Sequence, residues 1–161
     1  MDQIVNILED SLFFQGLTKA ECETLAKFLT SKNIPEGNVV FLENMPGESL
    51  YIIKKGAVKI SRMLTSGREK TVVVLGADDI FGELALFDDD SRSVSAFVAE
   101  DAELLCFHKN DFERLCSENP VLALKISRNM IKLFSQRVRE TQADYQKLLK
   151  WCLGKNILAD K

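Results

Sequence analysis

A chain of 161 residues, 46% hydrophobic and 28% charged, amounts to one soluble domain and is long enough to bury a core without disulfides or metals. No apolar run reaches the roughly 18 residues of a membrane span, and a single histidine with four scattered cysteines excludes most zinc sites and hydrolase triads. The net charge of −3 is uneven: Pro120–Lys161 holds nine Lys or Arg against three Asp or Glu, so the preceding body carries −9.

The N-terminus, MDQIVNILED, is acidic and lacks the basic-then-apolar profile of a signal peptide, so residence in the cytoplasm is expected. Ile4, Val5, Leu8 and Leu12 share helical spacing until Phe13-Phe14-Gln15-Gly16 breaks it. Thr18 with Glu21 three positions on forms a capping box, which starts a second helix through Leu25 and Phe28. From Ile34 to Phe107 the period changes to two. Val39–Leu42, Ser49–Gly56, Ala57–Leu64, Glu69–Leu75, Ser93–Ala99 and Ala102–Phe107 read as strands, with turns marked by Pro35, Gly37, Pro46-Gly47, Gly56, Ser66-Gly67 and Gly76. Many short strands with no long helix between them predict an all-β sandwich or barrel.

Helix returns at Asp111–Glu118, and Asn119-Pro120 supplies a cap and a first-turn proline for a longer one. Leu122, Ile126, Met130, Leu133, Val138, Tyr145 and Leu148 fall close to one face of it. A stripe that long exceeds what a small body covers, so a second copy of the chain is the expected partner, giving a homodimer. The expected organisation is residues 1–118 as N-terminal helices plus β-body, 119–150 as the long helix and 151–161 as a loosely ordered tail. The basic excess reads as a helix beside an acidic body, with nucleic-acid contact the alternative. Cys22, Cys106, Cys116 and Cys152 read as mostly buried, reduced thiols.

The segment Phe81–Phe97, FGELALFDDDSRSVSAF, carries the chemistry. Gly82 permits a close backbone approach or a left-handed conformation. Leu84–Phe87 can form one helical turn whose free N–H groups make an anion site, and Ala85 leaves that approach open. Arg92 offers a planar fork suited to phosphate oxygens. Glu83, an acceptor when ionised, suits a hydroxyl donor such as a ribose 2′-OH. Together they suit a ligand with a phosphate close to a sugar hydroxyl, such as a cyclic nucleotide. A plain Glu–Arg ion pair bracing a turn is the alternative. Asp88-Asp89-Asp90 lacks the alternating ligand spacing of a calcium loop and reads as a solvated tip.

FGELALF…SRSVS resembles the phosphate-binding cassette of the cyclic nucleotide-binding domain family, of the catabolite activator protein and kinase regulatory subunit type. Gly82, Glu83, Ala85, Arg92 and Ser93 match its pattern, and Ser91 stands where proline is frequent. Upstream, Pro35, Gly37, Gly47, Tyr51, Gly56 and Val58 match the family's glycine-anchored signature, and LGADDIFGE matches a further motif with Asp78 in place of a glycine. The resemblance covers about residues 10 to 140. It implies a mainly β fold with flanking helices, a double-stranded β-helix (a jelly-roll-like β-roll), followed by a long C-terminal helix. It implies that Glu83 accepts from the ribose 2′-OH and that Arg92 pairs with the cyclic phosphate, aided by the N–H groups of Leu84 and Ala85 and by Ser93. Val72 and Leu75 would give the base an apolar wall, and Ser135 or Arg137 of the last helix would cover it.

The ligand expected first is cAMP, then cGMP, then a cyclic dinucleotide, with no metal and no other cofactor. With no placed nucleophile or base, the chain reads as a binding protein and not an enzyme. Too few residues follow Tyr145 for a helix-turn-helix module, so a free-standing sensor or a regulatory domain for a partner protein is expected. The alternatives are a ligand-free dimeric β-roll scaffold, or a truncated relative of a transcription regulator that binds nucleic acid through its basic helix.

Overall fold

A computed structural model describes residues 2–159. Two short helices, α1 (Asp2–Asp10) and α2 (Lys19–Ala26), flank a single 3-10 turn at Leu12–Phe14. The capping box forms: the Glu21 amide donates to Thr18 Oγ1 at 3.3 Å, and the Thr18 amide donates to Glu21 Oε2 at 2.8 Å. The second helix stops at Ala26, because Phe28 turns into the core and the chain enters a strand. This strand, β1 (Leu29–Ile34), was not expected; its burial alternates poorly, with four consecutive exposed positions.

The remaining strands are β2 (Val39–Phe41), β3 (Ser49–Met63), β4 (Glu69–Leu75), β5 (Ile80–Phe81) and β6 (Ser95–His108). All six join one antiparallel sheet in the order β1-β6-β3-β4, with β2 on β6 and β5 on β3. Two pairs of expected short strands are in fact two long ones. The strands β3 and β6 pair from Ser49↔His108 to Ser61↔Ser95, with register shifts between Ile53 and Val58. Gly56 lies at that corner with φ +86, and a Cβ there would stand 2.8 Å from Ala102 Cα. A glycine therefore bends the strand where the sequence reads as a break. The sheet curls into a β-roll, as the family resemblance implies.

Period-two alternation splits the core in two. Leu50 and Ile52 of β3, with Leu105 and Phe107 of β6, face the helices. Tyr51, Ile53, Val58 and Ile60, with Val98, Leu104 and Cys106, fill the roll. The chain closes with α3 (Lys109–Glu118) and α4 (Pro120–Ala159). Asn119 Oδ1 accepts from the Leu122 amide at 3.1 Å, the expected cap. The long helix runs through Ala159, past the boundary expected at 150 and through Gly154, so the tail over 151–159 is helical. One glycine opposes a helix by only about 1 kcal/mol, and the Leu, Trp and Cys residues before it are compatible with helix.

The apolar residues of α4 form two faces, not one. Leu122, Ile126 and Met130 are buried against the body. Leu124, Ile131, Val138 and Tyr145, at seven-residue spacing, are 61%, 63%, 56% and 60% exposed. All four cysteines are free, but only Cys22 and Cys106 are buried; Cys116 and Cys152 are exposed on the last two helices.

Candidate functional site: a cleft between the roll and the last helix

Gly82 adopts a left-handed conformation, φ 69 and ψ 19, and opens a 3-10 turn over Glu83–Leu86. The first N–H groups of such a turn have no partner inside it. The backbone of Arg92 is held by the loop between β2 and β3: its amide donates to the Met45 carbonyl, and its carbonyl accepts from the Asn44 amide, both at 2.8 Å. Gly47 makes room for this packing, since a Cβ there would come 2.8 Å from Ala85 Cβ and 3.4 Å from Arg92 Nε.

The guanidinium of Arg92 is buried at 7% exposure. Its Nη1 donates to the Gly82 carbonyl at 2.9 Å and its Nη2 to the Ser49 carbonyl at 2.8 Å. The Phe41 ring lies 4.0 Å from Cζ, a cation–π contact. Burial pulls the guanidinium down from its ordinary value, against Tyr51, Cys106, Glu83 and Asp88, yet an arginine stays charged in a protein. Among the described residues, Arg92 Nε is a buried side-chain polar atom without a hydrogen-bond partner. Leaving such a donor unpaired costs about 1–3 kcal/mol. A buried, charged fork with a spare donor is set for an anion.

Glu83 is 6% exposed and faces α4, not Arg92. Arg137 donates to its Oε1 through Nη1, and to the Ile80 carbonyl through Nη2 at 3.2 Å. The plain Glu83–Arg92 brace is therefore absent: each of the two residues has other partners. Both line one cleft of about 810 Å³, with Gly82, Leu84, Ala85 and Ser93 on the cassette side. Leu75 lines it as expected, but Val72 does not; it is 62% exposed. Residues three apart on a strand point to opposite faces, so Val73, not Val72, joins Leu75 at the wall. Ser135 is likewise outside the cleft lining, its hydroxyl donating to the Ile131 carbonyl at 2.8 Å.

Four residues that the sequence reading did not assign to the site complete the helix wall: Phe134, Val138, Glu140 and Thr141. With Arg137 they occur at helical spacing on one face, which was the available signal. The aspartate triplet is only partly a solvated tip. Asp88 and Asp90 line the cleft. Lys109 Nζ holds the loop, donating to the Asp88 carbonyl at 2.9 Å and to Asp89 Oδ1 at 2.6 Å. Phe87, at the end of the cassette turn, meets Phe112 of α3 at 5.4 Å and Phe134 of α4 at 6.2 Å between ring centroids.

A curled antiparallel roll, a glycine-opened turn, a buried arginine and a closing helix together frame one cleft whose arginine is suited to an anion. The chain belongs to the cyclic nucleotide-binding domain family, whose model matches residues 31–119. It is 31% identical over 137 residues to the Cyclic AMP receptor protein of Thermus thermophilus, covering 85% of this chain and 62% of that one. It is 32% identical over 143 residues to the CRP-like cAMP-activated global transcriptional regulator of Mycobacterium tuberculosis, covering 89% of this chain and 62% of the relative. The chain thus spans less than two thirds of the length of these relatives. The structure of the Thermus thermophilus Catabolite Activator Protein superposes with a TM-score of 0.76 at 30% identity, over 84% of this chain and 62% of that one. The regulatory domain of Toxoplasma gondii PKA with cAMP superposes at 0.64 and 28% identity, over 70% and 43%. Among the described residues, no helix is long and apolar enough to cross a membrane.

Proposed function

We propose that this chain is a non-enzymatic cyclic-nucleotide sensor, with cAMP as its preferred ligand. The observation that carries this reading is the buried Arg92 guanidinium, with its unpartnered Nε, in the same cleft as the carboxylate of Glu83. Arg92, the first amides of the cassette turn and Ser93 hold the cyclic phosphate. Glu83 accepts from the ribose 2′-OH, and Val73 and Leu75 face the base opposite Val138 and Thr141. That the relatives include cAMP-activated regulators supports the choice of cAMP.

The response is a population shift, limited by the ligand's differential affinity for two arrangements of α4. Two contacts tie α4 to the cassette: the Glu83–Arg137 ion pair, and the edge-to-face contact of Phe87 with Phe134. A ribose hydroxyl at Glu83 changes the first, and movement of the turn changes the second. The exposed column Leu124, Ile131, Val138 and Tyr145 is the seam of a homodimer, since a seven-residue apolar repeat suits a two-stranded coiled coil. The protein acts in the cytoplasm through a protein partner.

Thermal denaturation with cAMP and cGMP tests the reading. A ligand at 100 times its Kd adds about 2.7 kcal/mol, several degrees in Tm for a domain of this size. Absence of a shift with either nucleotide at millimolar concentration would sink it.

A further inference from the structure

A second cleft, of about 690 Å³, opens between the turn after α1, the loop from β4 to β5, and α4. Small-molecule sites occupy about 300–1,000 Å³. Among the described residues, only Arg137 lines both this cleft and the nucleotide cleft. Two buried polar side chains in its lining are incompletely satisfied. Asn129 is 9% exposed, and its Nδ2 donates to the Gln15 carbonyl at 3.0 Å. That bond fixes the orientation of the amide and leaves Oδ1 as an acceptor with no donor among the described residues. Ser11 is 3% exposed and accepts from the Phe13 amide at 3.3 Å, while its own proton has no acceptor there. Phe13, Ile80 and Leu133 add apolar surface.

The same lining carries charges of both signs that do not meet. The carboxylates of Asp10 and Asp78 and the ammonium of Lys132 are exposed, and none of them has an ion-pair partner among the described residues. Asp79 is taken up by its own turn, where Oδ2 accepts from the Gly76 amide at 2.9 Å. Asp78 is the residue that replaces a glycine in the motif LGADDIFGE, and it adopts a left-handed conformation with φ 70. Such backbone favours glycine, though aspartate tolerates it. A carboxylate therefore stands where glycine would leave bare backbone. Among the described residues, no three acidic or metal-ligating side chains cluster closely enough to hold a metal ion.

We propose that this cleft is a second ligand site, for a free α-amino acid with an apolar side chain. Opposite charges that share a cleft without pairing leave room for a zwitterion between them. The ammonium of the ligand donates to Asn129 Oδ1 and faces Asp10 and Asp78. Its carboxylate accepts from Ser11 and faces Lys132 and Arg137. Its side chain lies against Phe13, Ile80 and Leu133. A simple anion or a simple cation would leave one sign of charge unopposed. The site is coupled to the nucleotide cleft through Arg137, a step that rests on the proposed function of that cleft. Arg137 donates to Glu83 through Nη1 and to the Ile80 carbonyl through Nη2. A carboxylate on Arg137 weakens its hold on Glu83, the acceptor for the ribose hydroxyl. The amino acid thus tightens cAMP binding, and cAMP tightens amino-acid binding by the same factor.

The test is titration calorimetry of the full chain with L-leucine, L-phenylalanine and their N-acetyl and amide derivatives, first without nucleotide. The expected result is saturable binding of a free amino acid at one per chain, weakened about tenfold when either charge is removed from the ligand. Asp78→Gly, in which glycine suits the left-handed backbone, and Lys132→Gln should weaken it to a similar degree. No binding of either free amino acid at millimolar concentration overturns the site. Derivatives that bind as well as the free amino acids overturn the zwitterion, and undiminished binding in both variants overturns the location. With cAMP present, amino-acid binding should tighten about fivefold or more, and Arg137→Gln should abolish the gain. An unchanged affinity, in a protein that does bind cAMP, overturns the coupling. Failure of cAMP and cGMP to bind overturns the functional reading instead, and is told apart because the amino-acid titration is made without them.

Discussion

Arg137 of the last helix pairs with Glu83, the carboxylate that opens the cassette turn, so in the proposed reading the helix and the ribose hydroxyl compete for one acceptor. The side chain of Glu83 is 8% exposed and that of Arg137 43%. Replacing Arg137 leaves a nearly buried carboxylate without its charged donor. Arg137→Gln should lower Tm by a few degrees, on the order of 1 kcal/mol. It should also reduce the ligand-induced change in hydrogen exchange along 134–145. An unchanged Tm with a full ligand response would show that the ion pair couples nothing.

The cradle of Arg92 depends on a residue without a side chain. Gly82 has φ +69, and a Cβ there would come 2.6 Å from Arg92 Nη1 and 3.2 Å from the Ser49 carbonyl. Gly82→Ala should weaken cAMP binding more than tenfold, as a displaced guanidinium loses its aim, and should cost about 1 kcal/mol for the backbone. Titration calorimetry and denaturant unfolding read the two effects separately. Wild-type affinity in the variant would mean that Arg92 need not hold its observed pose.

Much of this site was legible because its chemistry is concentrated in one short stretch. Gly82, Glu83, Ala85, Arg92 and Ser93 lie within twelve residues, and the structure brings them to one cleft. The partners of the two charged groups were not legible. Arg92 is held by carbonyls of Ser49 and Gly82, and main-chain acceptors leave no mark in a sequence. Glu83 meets a residue 54 positions away, on a helix whose phase is fixed only by packing. Val72 was misassigned against the period of two: it lies three residues from Leu75, whereas Val73 lies two away and shares its face. The merging of four expected strands into β3 and β6 has its own cause, because Gly56 reads the same way in a turn and in a bent strand.

The second apolar face of α4 makes a prediction about assembly. Ile131 is 63% exposed and lies at the same heptad position as Leu124, Val138 and Tyr145. If this column is a dimer seam, Ile131→Glu places like charges opposite each other and should convert the protein to monomer in sedimentation velocity, with little change in the monomer's far-ultraviolet spectrum. A wild type that sediments as a monomer at micromolar concentration would contradict the seam.

Acid should loosen the fold through three ion pairs. The Glu21 carboxyl is held below the ordinary glutamate range, first by the hydrogen bond from Lys125 and then by the Thr18 amide. Lys54 lowers Glu103 and Lys109 lowers Asp89 in the same way. A carboxylate lowered in the folded state contributes stability above its unfolded value, and loses it as pH falls through the folded one. Tm should therefore fall as pH drops below the ordinary carboxylate range, and Lys125→Ala should shrink that fall. An acid response identical in the variant would remove Glu21 from the explanation.

The most direct measurement is titration calorimetry of cAMP against the wild type and Arg92→Ala. Saturable binding at one site per chain, lost or weakened at least a hundredfold in Arg92→Ala while the variant remains folded, is the predicted result. Binding of undiminished strength in Arg92→Ala would place the ligand elsewhere, and no binding to the wild type would contradict the assignment of the cleft.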